Sequence, residues 1–138
     1  MHGFSFSEIA EALQVKPLQQ YSDPMIESLL TDSRKLVFPE KTLFFPISSA
    51  NKNAHLFFAP LYEKGVRCFI AGREFKTIDL SAFPEANIIQ VSDVMAALQQ
   101  IVTRHRHLFT YPVIGITGSN GKTIVKEWLY QLLNERFN

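Results

Sequence analysis

The sequence predicts an α/β fold in which a mixed or mostly parallel sheet is flanked by helices. Two observations support this prediction. Over residues 1–110, short apolar runs alternate with helical segments in the rhythm of strand, helix and parallel strand. A glycine-rich turn then joins one more apolar run to a long amphipathic helix near the end of the chain.

The composition limits the classes of protein to which the chain can belong. Its 138 residues amount to about one domain, and 46% hydrophobic with 20% charged residues is typical of a globular protein. The formal net charge of +1 gives no basis for binding nucleic acid or an anionic membrane. The single cysteine, Cys68, excludes an intramolecular disulfide, and no apolar run is long enough to span a bilayer. We therefore expect a cytoplasmic protein with a buried free thiol.

One helix and two strands are predicted in the first half of the chain. Ser7 caps a short helix that closes before Pro17, because a serine side chain accepts a bond from the first helical turn. The two strands cover residues 25–30 and 42–47. A polar loop over 48–54 follows the second strand.

The second half continues with a helix over 58–64, strands over 66–71 and 87–91, and a long helix that ends near residue 109. Pro60 is tolerated only in the first turn of its helix, and Gly65 is placed to end that helix. Ser92-Asp93 supplies a cap and a first-turn acid for the long helix. The segment 75–86 has no clear pattern. Pro112 then forces an extended connection, which marks a domain boundary.

The polar group Thr31-Asp32-Ser33-Arg34 directly follows the strand predicted over 25–30. A strand end that carries a hydroxyl, a carboxylate and a guanidinium is a reasonable ligand-facing edge. The same residues also favour a simple turn, in which Arg34 pairs only with Asp32 or with solvent. The residues alone leave these two interpretations equal.

Residues 113–123 have the pattern of a phosphate-binding loop. A strand predicted over 113–116 leads into a glycine-rich turn that ends in Gly-Lys-Thr and opens a helix. In such a loop the helix N-terminus faces the phosphate, Lys122 adds a positive charge and Thr123 offers a hydroxyl to Mg²⁺. Ile116 stands where the strict pattern has its first glycine, so a glycine turn with an incidental lysine is the alternative.

The helix after this loop carries one apolar stripe. We expect the stripe to pack on the first domain, to pair with a second copy of the chain, or to be poorly ordered, because an apolar face of this size seeks cover. The stripe consists of Val125, Trp128, Leu129, Leu132 and Leu133.

The histidines do not form a metal site in the sequence. His105 and His107 are two residues apart on a helix and therefore point to different faces.

The two motifs together resemble the opening of the Mur ligases, a family of peptidoglycan synthesis. They are Thr31-Asp32-Ser33-Arg34 and the glycine loop over 117–123 with its continuation Val125-Lys126-Glu127. The continuation is most similar to the branch that adds D-Ala-D-Ala. The amino-acid sequence over residues 114–133 is most similar to forms of that branch that are fused to an alanine racemase domain.

The resemblance implies an ATP-dependent amide ligase that joins D-Ala-D-Ala to UDP-N-acetylmuramoyl-tripeptide. Lys122 would be the catalytic residue that holds the ATP phosphates, and Thr123 would bind Mg²⁺. The remaining cofactor-binding residues implied are Gly118, Ser119, Asn120 and Gly121. Pyridoxal phosphate would belong only to a fused racemase domain, which lies outside these 138 residues.

The family's UDP-sugar site corresponds here to Asp32, Ser33, Arg34 and His55, with Ser33 as the foremost direct contact. One departure weakens this assignment. Members of the family usually carry Asp-Gly-His before the short helix, whereas this chain has Asn53-Ala54-His55. Without the glycine, the backbone of this loop has less freedom to approach a nucleotide.

The resemblance also implies a division of the chain. Residues 1–110 correspond to the N-terminal, UDP-substrate-binding domain, and residues 111–138 to the truncated start of the central ATP-binding domain. We therefore expect an N-terminal fragment that does not ligate by itself and could associate through its last helix. The alternatives are a diaminopimelate- or lysine-adding Mur ligase, a folylpolyglutamate synthase, and a non-catalytic interaction module in which the Asp-Ser-Arg edge is only a turn.

Overall fold

The computed structural model describes residues 3–47, 54–73 and 79–137. These residues belong to two compact units, Met1–Leu108 and Phe109–Asn138. The polar loop predicted over 48–54 lies almost entirely outside the described residues, and so does the beginning of the segment 75–86.

The first unit contains six strands and three α-helices within its described residues. In chain order they are β1 (Phe4–Ser5), α1 (Phe6–Ala12), β2 (Met25–Ile26), β3 (Ser28–Leu30), β4 (Thr42–Phe44), α2 (Phe58–Glu63), β5 (Cys68–Ala71), β6 (Asn87–Gln90) and α3 (Val94–His107). Four short 3-10 helices lie between them, at Ser33–Lys35, Pro39–Lys41, Ala54–Phe57 and Leu80–Ala82.

A four-stranded parallel sheet in the order β3-β4-β5-β6 forms the centre of this unit. Its strands are paired in register, with Leu43 opposite Cys68 and Phe69 opposite Ile88. The strands β1 and β2 form a separate antiparallel pair. The predicted α/β fold with a mostly parallel sheet is therefore confirmed.

The sheet is buried on both faces, as parallel sheets usually are. Successive residues of a strand point to opposite faces, so Ile70 and Phe69 enter different cores. One core contains the apolar faces of α1 and α3, and the other contains α2. The large side chains Phe58 and Phe69 stack in the second core with ring centroids 4.7 Å apart. The layers are thus helix, sheet and helix.

Two details of the first unit differ from the expectation. Ser5, rather than Ser7, caps α1, because its hydroxyl and the Glu8 carboxylate form a reciprocal capping box. The strand predicted over 25–30 is divided at Glu27, whose main-chain N–H donates to the carbonyl of Lys41. The two halves of that segment therefore belong to different sheets.

The outer edge of β6 is covered by the segment that follows α1. Gln19 forms an isolated antiparallel bridge with Ile88, and its side-chain amide donates to the carbonyls of Phe83 and Ala86. The buried Asn87 accepts hydrogen bonds from the main-chain N–H groups of Tyr21 and Ser22, each 2.9 Å long. These bonds protect a sheet edge that would otherwise be open.

The second unit consists of an irregular segment followed by helix α4 (Lys122–Phe137). The strand predicted over 113–116 is wrong: residues 113–116 form no strand, and Val113 and Ile114 are exposed. A β-strand needs a hydrogen-bonded neighbour, and the described part of this unit contains no second strand. The predicted helix after the loop is confirmed.

The apolar stripe of α4 is exposed in the single chain, with Trp128 at 63% and Leu132 at 69% of full exposure. Packing of the stripe on the first domain and pairing with a second copy of the chain both stay predictions. Within the described ranges, no helix is long and apolar enough to cross a membrane.

Candidate functional site

The carboxyl ends of β3, β4, β5 and β6 meet at one edge of the sheet, which we call the carboxyl edge. Open parallel sheets bind ligands in the crevice outside this edge, where loop residues converge. Here the chain places a polar residue after three of the four strands: Asp32 after β3, Arg73 after β5 and Asp93 after β6. The carboxyl edge is therefore the first candidate site.

Asp32 and Arg34 form a closed pair at the end of β3. The Asp32 carboxylate caps the 3-10 helix Ser33–Lys35 by accepting the main-chain N–H of Arg34. The Arg34 guanidinium then donates two bonds to the same carboxylate, Nε to Oδ1 at 2.9 Å and Nη2 to Oδ2 at 2.7 Å. This is the planar two-bond geometry that guanidinium and carboxylate favour.

The pair has the electrostatic consequence expected of such bonds. The side-chain hydrogen bonds from Arg34, followed by the one from its backbone, hold the pKa of the Asp32 carboxyl well below its usual range. The same contacts raise the pKa of Arg34. The geometry is that of the simple turn, with Arg34 paired to Asp32. Ser33 is half-buried, and among the described residues its hydroxyl makes no hydrogen bond with another group.

A crevice of about 350 Å³ lies at the ends of β4, β5 and β6. Its lining includes His55, Gly72, Arg73 and Asp93, together with apolar side chains such as Ile47. His55 is buried, with 7% of its surface exposed, and its Nε2 accepts the main-chain N–H of Gly72 at 3.2 Å. The structure therefore gives His55 a bond to the protein backbone, in addition to its place in the crevice wall.

The sequence pattern singled out neither Gly72 nor Arg73, and it assigned Ser92-Asp93 only as a cap and first-turn acid of the long helix. A cap at this pair is confirmed, and the capping residue is Asp93, whose Oδ1 accepts the N–H groups of Met95 and Ala96. A signal was present in the sequence, since polar residues follow three of the four buried apolar runs at the point where a parallel strand ends. The signal was missed because Gly72-Arg73 resembles an ordinary turn.

The glycine loop over residues 117–123 is the second candidate site. Gly118 and Gly121 have φ values of +151° and +76°, a region that residues with a Cβ seldom adopt. Val125 N–H donates to the carbonyl of Gly121, so the first turn of α4 begins directly at the end of the loop. The glycines at these two positions are therefore a requirement of the loop's shape.

Lys122 folds back over the loop at the start of α4. Its ammonium group donates to the carbonyl of Gly118 and, at 3.4 Å, to that of Ser119. The loop thus carries its positive charge above its own backbone, next to the helix N-terminus. Ser119, Asn120 and Thr123 are exposed around it.

Two other kinds of site find no support. The thiol of Cys68 is buried, as expected, and its burial raises the pKa to about 12, so it is not a reactive thiolate at neutral pH. Across residues 3–47, 54–73 and 79–137, no group of three or more His, Cys, Asp or Glu side chains could hold a metal ion.

The structure brings together His55 and the ends of β5 and β6, and it places Asp32, Ser33 and Arg34 at the same edge of the same sheet. Gly118 to Thr123 form one continuous loop in the second unit. These features define the class of protein. It is an α/β domain whose sheet has polar residues at its carboxyl edge, where such sheets bind ligands, followed by a unit that consists of a glycine loop and a helix.

Comparison with known proteins identifies the family within this class. The chain is 32% identical over 120 residues to the UDP-N-acetylmuramoyl-tripeptide–D-alanyl-D-alanine ligase of Bacillus subtilis (strain 168), a match that covers 86% of this chain and 24% of that protein. It is also 32% identical over 103 residues to the UDP-N-acetylmuramoyl-L-alanyl-D-glutamate–2,6-diaminopimelate ligase of Clostridium botulinum, over 71% of this chain and 20% of that protein.

The fold agrees with these matches. A solved structure of the UDP-N-acetylmuramoylalanyl-D-glutamyl-2,6-diaminopimelate–D-alanyl-D-alanyl ligase from Acinetobacter baumannii superposes with a TM-score of 0.74 and 26% identity, covering 99% of this chain and 29% of that one. No family model matches the chain. The chain belongs to the Mur ligase family, and it spans less than a third of the length of the relatives it matches.

Proposed function

We propose that the chain is the N-terminal part of an ATP-dependent amide ligase that adds D-Ala-D-Ala to UDP-N-acetylmuramoyl-tripeptide in peptidoglycan synthesis. The observation that supports this most is the set of relatives, which includes D-Ala-D-Ala-adding ligases at 32% and 30% identity. In this proposal residues 1–110 form the UDP-substrate-binding domain, and residues 111–138 begin the ATP-binding domain. The full-length ligase would work in the cytoplasm.

The glycine loop fits a nucleoside triphosphate. Two positive-φ glycines shape a turn of backbone N–H groups in front of a helix N-terminus, which is a favourable environment for phosphate oxygens. Lys122 would exchange its bonds to the loop carbonyls for bonds to the phosphates, and Thr123 would offer its hydroxyl to Mg²⁺. When bound, ATP supplies the phosphoryl group that activates the substrate carboxylate for attack by the amine of D-Ala-D-Ala.

The carboxyl edge would bind the UDP-bearing substrate. Ser33 is the residue most suited to direct contact, because its hydroxyl is half-buried and has no protein partner in the described part of the chain. Asp32 and Arg34 would act as a rigid pair that fixes the turn around Ser33, since each already satisfies the other. His55 would line the crevice of the same edge from the 3-10 helix Ala54–Phe57.

The substrate side can be tested by titrating the chain with UDP-N-acetylmuramoyl-tripeptide while backbone NMR shifts are recorded. We expect shifts around Ser33, and we expect Ser33→Ala to weaken binding by about tenfold, the loss typical of one hydrogen bond to a charged group. The matched control is Ser28→Ala, at the opposite end of β3. Equal effects of the two variants, or no response near Ser33, would favour the interaction module.

The nucleotide side is tested by titration with ATP and Mg²⁺. Lys122→Ala should weaken the response of the glycine loop by about tenfold or more, because it removes the charge that faces the phosphates. Lys126→Ala is the control, since Lys126 is exposed and pairs with Glu127 at 2.6 Å. Equal losses from both variants would indicate that ATP is attracted by positive charge in general and is not bound by a specific contact with Lys122.

The isolated chain should not ligate, because the proposal assigns it only part of the ATP-binding domain. Release of phosphate from ATP that depends on D-Ala-D-Ala and on this chain alone would contradict that prediction. We further propose that the full-length ligase is fused to a pyridoxal phosphate-dependent alanine racemase and that two chains associate through α4. Supporting the association, α4 carries Trp128 and Leu132 on an exposed face.

A second candidate is a Mur ligase that adds diaminopimelate or lysine. The match to the diaminopimelate ligase of Clostridium botulinum has the same 32% identity as the match to the Bacillus subtilis protein, although over fewer residues. The acceptor used by the full-length ligase would separate the two candidates. Incorporation of diaminopimelate into a dipeptide-bearing UDP precursor, in place of D-Ala-D-Ala into a tripeptide-bearing one, would favour the second.

A further inference from the structure

Two arginines follow strands at the carboxyl edge, and their surroundings differ. Arg34 is 86% exposed, but two of its N–H groups already bond the Asp32 carboxylate. Arg73 lines the crevice at the end of β5. Within residues 3–47, 54–73 and 79–137 its guanidinium has neither a hydrogen bond nor an ion pair. Its whole fork of N–H donors is therefore available to a ligand, whereas part of the Arg34 fork is already occupied.

The main chain immediately before Arg73 is held in place from two sides. On one side, the buried imidazole of His55 accepts the N–H of Gly72 at 3.2 Å. On the other side, Gly72 lies close to helix α3: a Cβ added to it would come within 3.2 Å of Cγ2 of Val94, and that side chain would have to shift slightly to admit it. Arg73 is thus attached to a fixed point of the crevice wall.

The other charged group of the crevice does not neutralise Arg73. Asp93 lines the same space, but its Oδ1 accepts the N–H groups of Met95 and Ala96 at 2.8 Å and 3.0 Å. Its negative charge therefore lies against the positive end of the α3 dipole. The guanidinium retains its charge and its fork of donors, which match the oxygens of a phosphate group.

We propose that Arg73 is a substrate-binding residue that contacts a phosphate of the UDP-bearing substrate. His55 is its positioning residue, which acts by holding Gly72 through the bond to Nε2. This inference rests on the proposed function, because it concerns the same substrate. It assigns to Arg73 the charged contact that the sequence suggested for Arg34, and it gives His55 an indirect role.

The first test compares UDP with uridine, which lacks the phosphates. Isothermal titration of the chain and of Arg73→Gln should show UDP bound about tenfold more weakly by the variant, and uridine bound equally by both. Arg104→Gln, near the other end of α3, is the matched control and should bind UDP as the unaltered chain does.

The outcomes separate the inference from the proposed function. Unaltered UDP affinity in Arg73→Gln would overturn the inference and leave the proposed function intact. An equal loss for UDP and uridine would overturn the phosphate contact. A loss seen only with UDP-N-acetylmuramoyl-tripeptide would assign Arg73 to a carboxylate of that substrate instead. Absence of UDP and UDP-substrate binding by the unaltered chain would contradict the proposed function itself.

The second test concerns the positioning role of His55. In His55→Gln the amide oxygen can still accept the Gly72 N–H, whereas His55→Phe keeps a ring and loses the acceptor. We expect the Phe variant to lose about as much UDP affinity as Arg73→Gln, with a shifted Gly72 amide signal, and the Gln variant to recover most of both.

Because His55 is buried, the Phe variant could also disturb folding, and a double variant controls for this. If His55 acts through Arg73, combining His55→Phe with Arg73→Gln should cost little more UDP affinity than Arg73→Gln alone. Additive losses would overturn the positioning role. So would a Gln variant as weak as the Phe variant with an unchanged Gly72 signal.

Discussion

The two candidate sites are built in different ways. At the carboxyl edge, His55 is 7% exposed and reaches across 17 residues of sequence to bond Gly72, on a sheet that is buried on both faces. In the glycine loop, the shape depends on two positive-φ glycines and on Lys122 bonding the carbonyl four residues before it. The first site is fixed by tertiary packing and the second by local backbone geometry.

The two sites should therefore respond to different kinds of substitution. A site that is held by a core loses its geometry when the core is weakened, because core packing is cooperative. A site that is held by its own backbone should depend only on nearby residues. Paired variants, one in each unit, therefore test this distinction.

The largest effect is expected from Phe69→Ala. Phe69 is fully buried, and its ring lies 4.7 Å from that of Phe58 and 6.4 Å from that of Phe44. Truncating a buried phenylalanine costs about 3–5 kcal/mol of unfolding free energy, because it removes apolar burial and leaves a cavity. Urea denaturation followed by far-UV circular dichroism would measure this.

The matched change in the second unit is Trp128→Ala, which removes a larger ring that is 63% exposed. It should leave the free energy of unfolding within about 0.5 kcal/mol of the original value. A loss from Trp128→Ala as large as that from Phe69→Ala would show that the second unit has a core of its own.

An intermediate effect is expected from Asn87→Leu. Asn87 is fully buried and accepts the N–H groups of Tyr21 and Ser22. Leucine has a similar volume but no acceptor, so two partly buried N–H groups would lose their partner, at a cost of about 1–3 kcal/mol. The same denaturation experiment measures the loss, and the amide signals of Tyr21 and Ser22 should shift.

The control for this change is Asn120→Leu in the glycine loop. Asn120 is exposed, so the variant should unfold at the same urea concentration as the original chain. Equal losses from the two asparagines would mean that the edge of β6 is not protected by the Asn87 bonds.

The sequence predicted most of the first unit and the loop of the second, for the same physical reason. The runs that form β4, β5 and β6 are apolar and short, and the cap at Asp93 and the stop at Gly65 are local signals. Each depends on neighbours within a few residues. The fold class and the helix after the glycine loop were therefore predictable.

The features that the sequence did not predict depend on distant partners. The division of residues 25–30 between two sheets follows from a bond between Glu27 and Lys41. The strand expected over 113–116 is absent because a strand requires a neighbour that the described part of the second unit lacks. The crevice residue Arg73 was missed because Gly72-Arg73 resembles an ordinary turn in the sequence, and only the tertiary fold places it beside His55.

The smallest effect is expected from Asp32→Asn, which tests how much an exposed pair at the carboxyl edge adds. The folded-state pKa of Asp32 is lowered from 3.8 by its bonds with Arg34, so the folded protein favours the carboxylate. The stabilisation is therefore fully present at pH values above the unfolded pKa, and it is lost as the pH falls through the lower, folded pKa. Asparagine cannot ionise and lacks this dependence.

Urea denaturation of the unaltered chain and of Asp32→Asn, at neutral pH and at about pH 2, would measure this pH dependence. The lower pH lies below the ordinary pKa of aspartate. The unaltered chain should be slightly more stable than Asp32→Asn at neutral pH, and the difference should shrink in acid. Because surface ion pairs contribute little, the change should be smaller than that from Asn87→Leu.

The counterpart in the second unit is Glu127→Gln, which breaks the exposed pair with Lys126 and should leave unfolding of the first unit unchanged. If Asp32→Asn changed nothing at any pH, the turn would be held by its backbone alone, and the carboxyl edge at β3 would resemble the glycine loop in how its shape is fixed.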